Sequence, residues 1–267
     1  MSGRWLGAHV LGSLALLALF SGCAVNPAPT DPREIVTASD QSDADKRSRV
    51  RLELAAAYFS RGQGTTALDE VKQALVAKPD SPDAYNLRGL IYASLNQPKL
   101  AEESFQRALQ LNPRDAETMH NYGYFLCQQK RFAESNVQFT AALAQPQYKD
   151  TARTLLTLGI CQARSGDWVS AERSLLRSYE LDPANPTTAY NLGDVLYRRG
   201  EVGRARFYVN RINTLADQSN AQTLWLAARI EQRAGNLAGV QTFGRQLRER
   251  FPQSPEALQY ERGRFDD

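Results

Sequence analysis

Few residues in this chain could do chemistry. Its 267 residues include two histidines, His9 and His120, and three cysteines, Cys23, Cys127 and Cys161. A zinc hydrolase needs ligands in HExxH or CxxC spacing. A P-loop enzyme needs a glycine loop closed by Lys and Ser or Thr, and a common serine hydrolase needs GxSxG. None of these patterns occurs. His120 has no second histidine near it in sequence, so a packing or surface role is expected of it rather than catalysis. No catalytic residue, metal ligand or cofactor is expected, and with no CxxC pair redox catalysis is not expected either. The formal net charge of +3 is too small to argue for nucleic acid. Hydrophobic residues make up 42% and charged residues 23%, which suits a globular chain rather than a disordered one. The expectation is a protein that binds other proteins, with no nucleic acid and no small-molecule substrate.

The first cysteine has a different chemistry. Val10 to Phe20 reads VLGSLALLALF, an apolar run of signal-peptide length, and Ser21-Gly22-Cys23 follows it. Small residues before a cysteine resemble the lipobox of bacterial lipoproteins, although Phe20 stands where Leu is usual. That resemblance implies a signal peptide over residues 1–22, cleaved before an acylated Cys23. Several acyl chains would anchor the chain stably, at about 0.8 kcal/mol per buried methylene. Ala24 stands where such lipoproteins carry Asp for inner-membrane retention. The implied location is therefore the outer membrane, lipid-anchored and facing the periplasm. An uncleaved anchor helix is the alternative, since Trp5 to Val25 carries no Asp, Glu, Lys or Arg. Pro27, Pro29 and Pro32 then mark residues 23–45 as a flexible tether.

The elements that must position everything else repeat with a period near 34. One column of small residues is Ala55, Gly89, Gly123, Gly159, Gly193 and Ala228, spaced 34, 34, 36, 34 and 35 apart. Two more columns keep the same phase: Ala67, Ala101, Ser135, Ala171, Ala205, Val240, and Ala74, Ala108, Ala142, Ser178, Ile212, Leu247. Pro79, Pro113, Pro183 and Pro252 recur in phase, and two extra residues follow Pro146. Each unit reads as two antiparallel helices joined at a turn such as Arg61-Gly62-Gln63 or Arg199-Gly200-Glu201. Small residues belong where the helices cross. Large ones fill around them, among them Leu54 with Tyr58 and Tyr122 with Phe139. A single pair cannot bury its apolar face, so the units must stack.

These columns resemble the tetratricopeptide repeat. The implied fold is all-α: a right-handed superhelical solenoid of six repeats over 46–253, with a capping helix and tail over 254–267. Arg88, Ser135, Asp217 and a weak sixth repeat depart from the pattern. Cys127 and Cys161 lie 34 apart, each late in a first helix. Neighbouring first helices run side by side, so the sulfurs can meet, and an oxidising compartment would keep them as a disulfide. Two separate buried thiols are the alternative. In this repeat family the first helices line a concave groove. The expected partner-binding positions are Asn86, Leu90, Asn121, Tyr124, Tyr190, Asn191, Asp194 and Tyr197, with His120 and Ile160 beside them. Asn86, Asn121 and Asn191 are expected at one repeat position, as a row of amides able to hold a peptide backbone.

A lipobox, a Pro-rich tether, six repeats and a short cap ending RERFPQSPEA together resemble the PilW (PilF) family of type IV pilus biogenesis lipoproteins. The resemblance implies a non-enzymatic, pilotin-like role in which secretin subunits are bound and brought to, or multimerised in, the outer membrane. The alternative is a periplasmic repeat scaffold for other envelope machinery, in cell-wall synthesis or outer-membrane assembly.

Overall fold

The computed structural model describes residues 42–265. The expected signal peptide, the Cys23 lipidation site and most of the tether lie outside them. Among the described residues there are thirteen helices and no strand. In chain order these are α1 (Asp43–Ser60), α2 (Gly64–Ala77), α3 (Pro82–Ser94), α4 (Pro98–Leu111), α5 (Ala116–Gln128), α6 (Phe132–Leu143) and α7 (Thr151–Arg164). There follow α8 (Trp168–Leu181), α9 (Pro186–Arg198), α10 (Val202–Asn213), α11 (Ala221–Arg233), α12 (Leu237–Arg250) and α13 (Pro255–Glu261). Odd and even helices pair into six hairpins. Successive odd helices also touch one another and form the inner wall of a right-handed solenoid. The array begins at Asp43 rather than 46, because the Ser42 hydroxyl caps α1 by accepting from the Asp45 amide at 3.1 Å.

The hairpins interlock through residues sixteen apart. A methyl group added to Gly89 would lie 2.7 Å from the Phe105 ring, and one on Gly123 would lie 3.0 Å from Phe139. At Gly159 it would meet Leu175 at 2.6 Å, and at Gly193 it would meet Val209 at 2.5 Å. These partners are fully buried. Each contributes about 1.5–3 kcal/mol through removal of its apolar surface from water. In the first repeat the smaller pair Ala55 and Val71 suffices. In the sixth repeat the order inverts. The second helix supplies Gly244, and the ring that fills the space comes from Tyr260 on α13, 1.8 Å from where a Gly244 methyl would sit.

Turns within hairpins need a left-handed residue. Gly62, Gly166, Gly200 and Gly235 supply it, with φ of 74°, 85°, 83° and 70°. In repeats two and three the same place is held by Asn96 (φ 54°) and Lys130 (φ 60°), which a search for glycine passes over. Turns between repeats follow the prolines: Pro79, Pro113, Pro183 and Pro252 each stand just past a second helix and forbid its extension. Where Asp217 replaces proline, Arg250 holds the turn instead. Its guanidinium donates to the Ser219 hydroxyl at 3.0 Å and to the carbonyls of Ala216 and Ser219 at 3.0 and 3.1 Å. Arg250 is thus a structural clasp.

The departures from the repeat pattern are satisfied locally. Arg88 donates to the Ser104 hydroxyl at 3.0 Å and stacks over Tyr85 at 4.6 Å. Ser135 donates to the Gly123 carbonyl at 2.7 Å. The sixth repeat is a complete helical hairpin, and Asn220 and Thr223 open it with a reciprocal capping box. Cys127 on α5 and Cys161 on α7 are joined as a disulfide with Cα atoms 6.0 Å apart. The bond closes a loop that contains α6 and the two-residue insertion.

Two outcomes follow for stability. Lys130→Gly relieves a left-handed backbone and should raise stability by about 1 kcal/mol, read as a higher denaturant midpoint with unchanged slope. Replacing both Cys127 and Cys161 by serine should cost about 3–4 kcal/mol by chain entropy for a 34-residue loop, measured by urea unfolding of oxidised wild type against the variant.

Candidate functional site

Two surfaces compete as the working face. The first is the inner wall, where the groove residues were expected. Tyr124 stands out from it, with 47% of its surface exposed. Leu90 is half-buried against Tyr122 and Phe125. Tyr190 is half-buried, and burial pushes its hydroxyl pKa up. Asp194 accepts from Arg198 at 2.8 Å. Tyr197 is only 8% exposed, and its ring lies beneath Arg229 and Arg233 at 4.9 and 5.3 Å.

The expected row of amides does not form. Asn121 and Asn191 stand two residues before their glycines, but Asn86 stands three before Gly89. One residue is about 100° of helix rotation, so the three cannot share a face. Their bonds are also largely internal. Asn121 Nδ2 donates to Asn86 Oδ1 at 3.2 Å, and Asn191 Nδ2 donates to the Thr187 carbonyl of its own helix at 2.8 Å.

His120 does not face the groove. It is 6% exposed, edge-on to Phe139, and its Nδ1 lies 2.7 Å from the Thr154 hydroxyl. That hydroxyl lies 2.6 Å from the Tyr148 hydroxyl. The imidazole and the two hydroxyls thus form a continuous polar chain. Tyr148 belongs to the insertion after Pro146 and packs on Met119 and Ala142. The extra residues therefore carry a side chain into the core.

The second surface is the outer flank of the first repeat, which sequence reading missed. Leu54, expected to fill the core beside Ala55, is 41% exposed; Val50 is 49% and Val76 77% exposed. They line a shallow depression of about 750 Å³ together with Lys46, Arg47 and Arg51. The cause is positional. Every later hairpin packs on the one before it, but among the described residues none precedes α1. Val50 and Leu54, one helical turn apart, were the available signal.

Models of the tetratricopeptide repeat match residues 55–96, 82–115, 114–184 and 156–220. The type IV pilus assembly protein PilF of Pseudomonas aeruginosa is 27% identical over 232 residues, covering 85% of this chain and 92% of that protein. The solved structure of PilW, described as a widely conserved type IV pilus biogenesis factor, is 32% identical. It superposes with a TM-score of 0.73 over 79% of this chain and 96% of its own. This chain belongs to the PilW/PilF family. The solved Pseudomonas aeruginosa PilF agrees, with 26% identity and a TM-score of 0.72 over 83% of this chain and all of its own. Membership makes this a tetratricopeptide-repeat protein homologous to type IV pilus biogenesis factors.

The buried imidazole gives a pH signature. Burial, with Arg153 nearby, lowers the His120 pKa to about 4, against 6.5 when unfolded. Between those values the unfolded chain binds a proton that the native one does not. Stability therefore falls as pH drops from about 6.5 towards 4, by up to about 3 kcal/mol. His120→Gln should flatten that part of the pH–stability curve, measured by urea unfolding between pH 7 and 4.5. An unchanged slope would remove His120 as its source.

Proposed function

We propose that this PilW/PilF-family chain is a lipoprotein pilotin. Acylated on Cys23, it is held at the periplasmic face of the outer membrane, binds subunits of the type IV pilus secretin, and promotes their localisation or multimerisation there. No bond is made or broken. The observation that supports the docking step is the flank of the first repeat, where no hairpin among the described residues covers Val50, Leu54 and Val76, exposed beside Lys46, Arg47 and Arg51. Side chains of that size are stabilised by leaving water, and basic residues at the rim steer an acidic or mixed partner. A polypeptide segment with apolar anchors fits this face better than the self-satisfied amides of the inner wall.

The tether sets the geometry. From Cys23 to Ser42 the chain runs 19 residue steps, a contour of about 65 Å at full extension. Confining the solenoid to a layer of that depth raises its effective concentration towards any secretin subunit arriving at the same membrane. The acyl anchor and the docking face thus act in series.

The two parts separate experimentally. Cys23→Ala should release the chain from membranes and reduce secretin multimers, with secretin still captured by the purified protein. Leu54→Glu with Val76→Glu should leave membrane attachment and melting temperature unchanged, because both side chains are exposed, and abolish secretin capture. Retained capture by the double variant would rule out the first-repeat flank. Normal secretin multimers and normal pili in a deletion strain would rule out the pilotin role.

A further inference from the structure

One column in the repeats has no part in the fold's interlock. Arg164, Arg198 and Arg233 are the last residues of α7, α9 and α11, each five places after the small residue of its helix. The same place in repeats one to three holds Ser60, Ser94 and Gln128, so the charge is confined to the C-terminal half. Helix C-termini favour a cation, which accounts for single arginines there. It does not account for what surrounds them. Arg164 donates to the Gln128 side chain at 3.2 Å and Arg233 to the Tyr197 carbonyl at 3.1 Å, both neutral acceptors. Only Arg198 meets a carboxylate, Asp194 at 2.8 Å.

Arg229, one turn before Arg233, adds a further guanidinium. It lies over the Tyr197 ring and donates to the main-chain carbonyl of Phe265 at 3.1 Å. Arg198, Arg229 and Arg233 line a cleft of about 570 Å³ with Trp168, Tyr197 and Phe265. Among the described residues, Arg164, Arg229 and Arg233 make no ion pair. The cleft is therefore cationic, walled by aromatic rings, and already accommodates a backbone carbonyl.

The geometry points to a site for an acidic polypeptide segment in polyproline II conformation, with a carboxylate at every third residue. Neighbouring packed helices lie about 8–10 Å apart, which sets the rung spacing of the arginine column. A polyproline II chain rises about 3.1 Å per residue with three residues per turn, so residues three apart share a face at about 9.3 Å. A β-strand cannot match this. Its same-face residues are two apart, near 6.6 Å, and residues three apart point to opposite sides. The unpaired carbonyls of such a segment also suit Arg229, which holds one from Phe265. The site stands apart from the first-repeat flank and does not depend on what docks there.

The probes are two twelve-residue peptides of identical composition, rich in Pro and Gln, each with four aspartates. In one the aspartates fall at every third position; in the other they are contiguous. Binding to the purified full-length chain is read by anisotropy of the labelled peptide and by Trp168 fluorescence. The spaced peptide is expected to bind at least about fivefold more tightly than the clustered one, and to weaken as salt rises. Arg164→Gln, Arg198→Gln and Arg233→Gln should each weaken it about twofold to fivefold. Arg233→Lys should retain binding, which separates charge from any effect on the fold. Equal affinity for both peptides, no binding of either, or wild-type binding by the triple glutamine variant would overturn the proposal.

Discussion

The array depends on one recurring contact, a helix with no side chain at its crossing point and a ring or branched chain sixteen residues later that fills the gap. Gly89 with Phe105, Gly123 with Phe139, Gly159 with Leu175 and Gly193 with Val209 are four copies of it. Each fixes the spacing within a hairpin, and so the face each hairpin offers to the next. Enlarging the small member forces backbones apart, and shrinking the large member opens a cavity. Neither is compensated elsewhere, because a repeat touches only its neighbours.

Everything that kept the period was legible in the sequence. The small-residue columns located the helices and the odd-helix wall, and the prolines located the turns. The even spacing of Cys127 and Cys161 pointed to sulfurs that the structure joins. What escaped reading broke the period or involved a missing neighbour. Asn96 and Lys130 take a glycine's conformation without its identity, so composition conceals them. Asn86 is one residue out of phase with Asn121 and Asn191. That is invisible when tripeptides are compared and decisive when helix rotation is counted. Leu54 occupies a core position in the repeat pattern and is exposed where, among the described residues, no hairpin lies over the first one.

His120 illustrates the same limit. Its place in the repeat is groove-facing by analogy, but the insertion after Pro146 brings in Tyr148, and the imidazole turns towards Thr154 to complete a buried chain of hydroxyls. The sequence-level absence of catalytic constellations and the family's repeat architecture agree in directing attention to surfaces.

The ends of the array are unlike each other. At one, Tyr260 from α13 plugs the space over Gly244, so the last hairpin offers no socket for a further hairpin. At the other, no hairpin among the described residues lies over the flank of α1 and α2. Head-to-tail stacking of such an array needs a free socket at both ends, and among the described residues the C-terminal one is filled. The plug thereby gives the described array a polarity, with one end sealed by a ring from its own chain and the other carrying exposed apolar side chains.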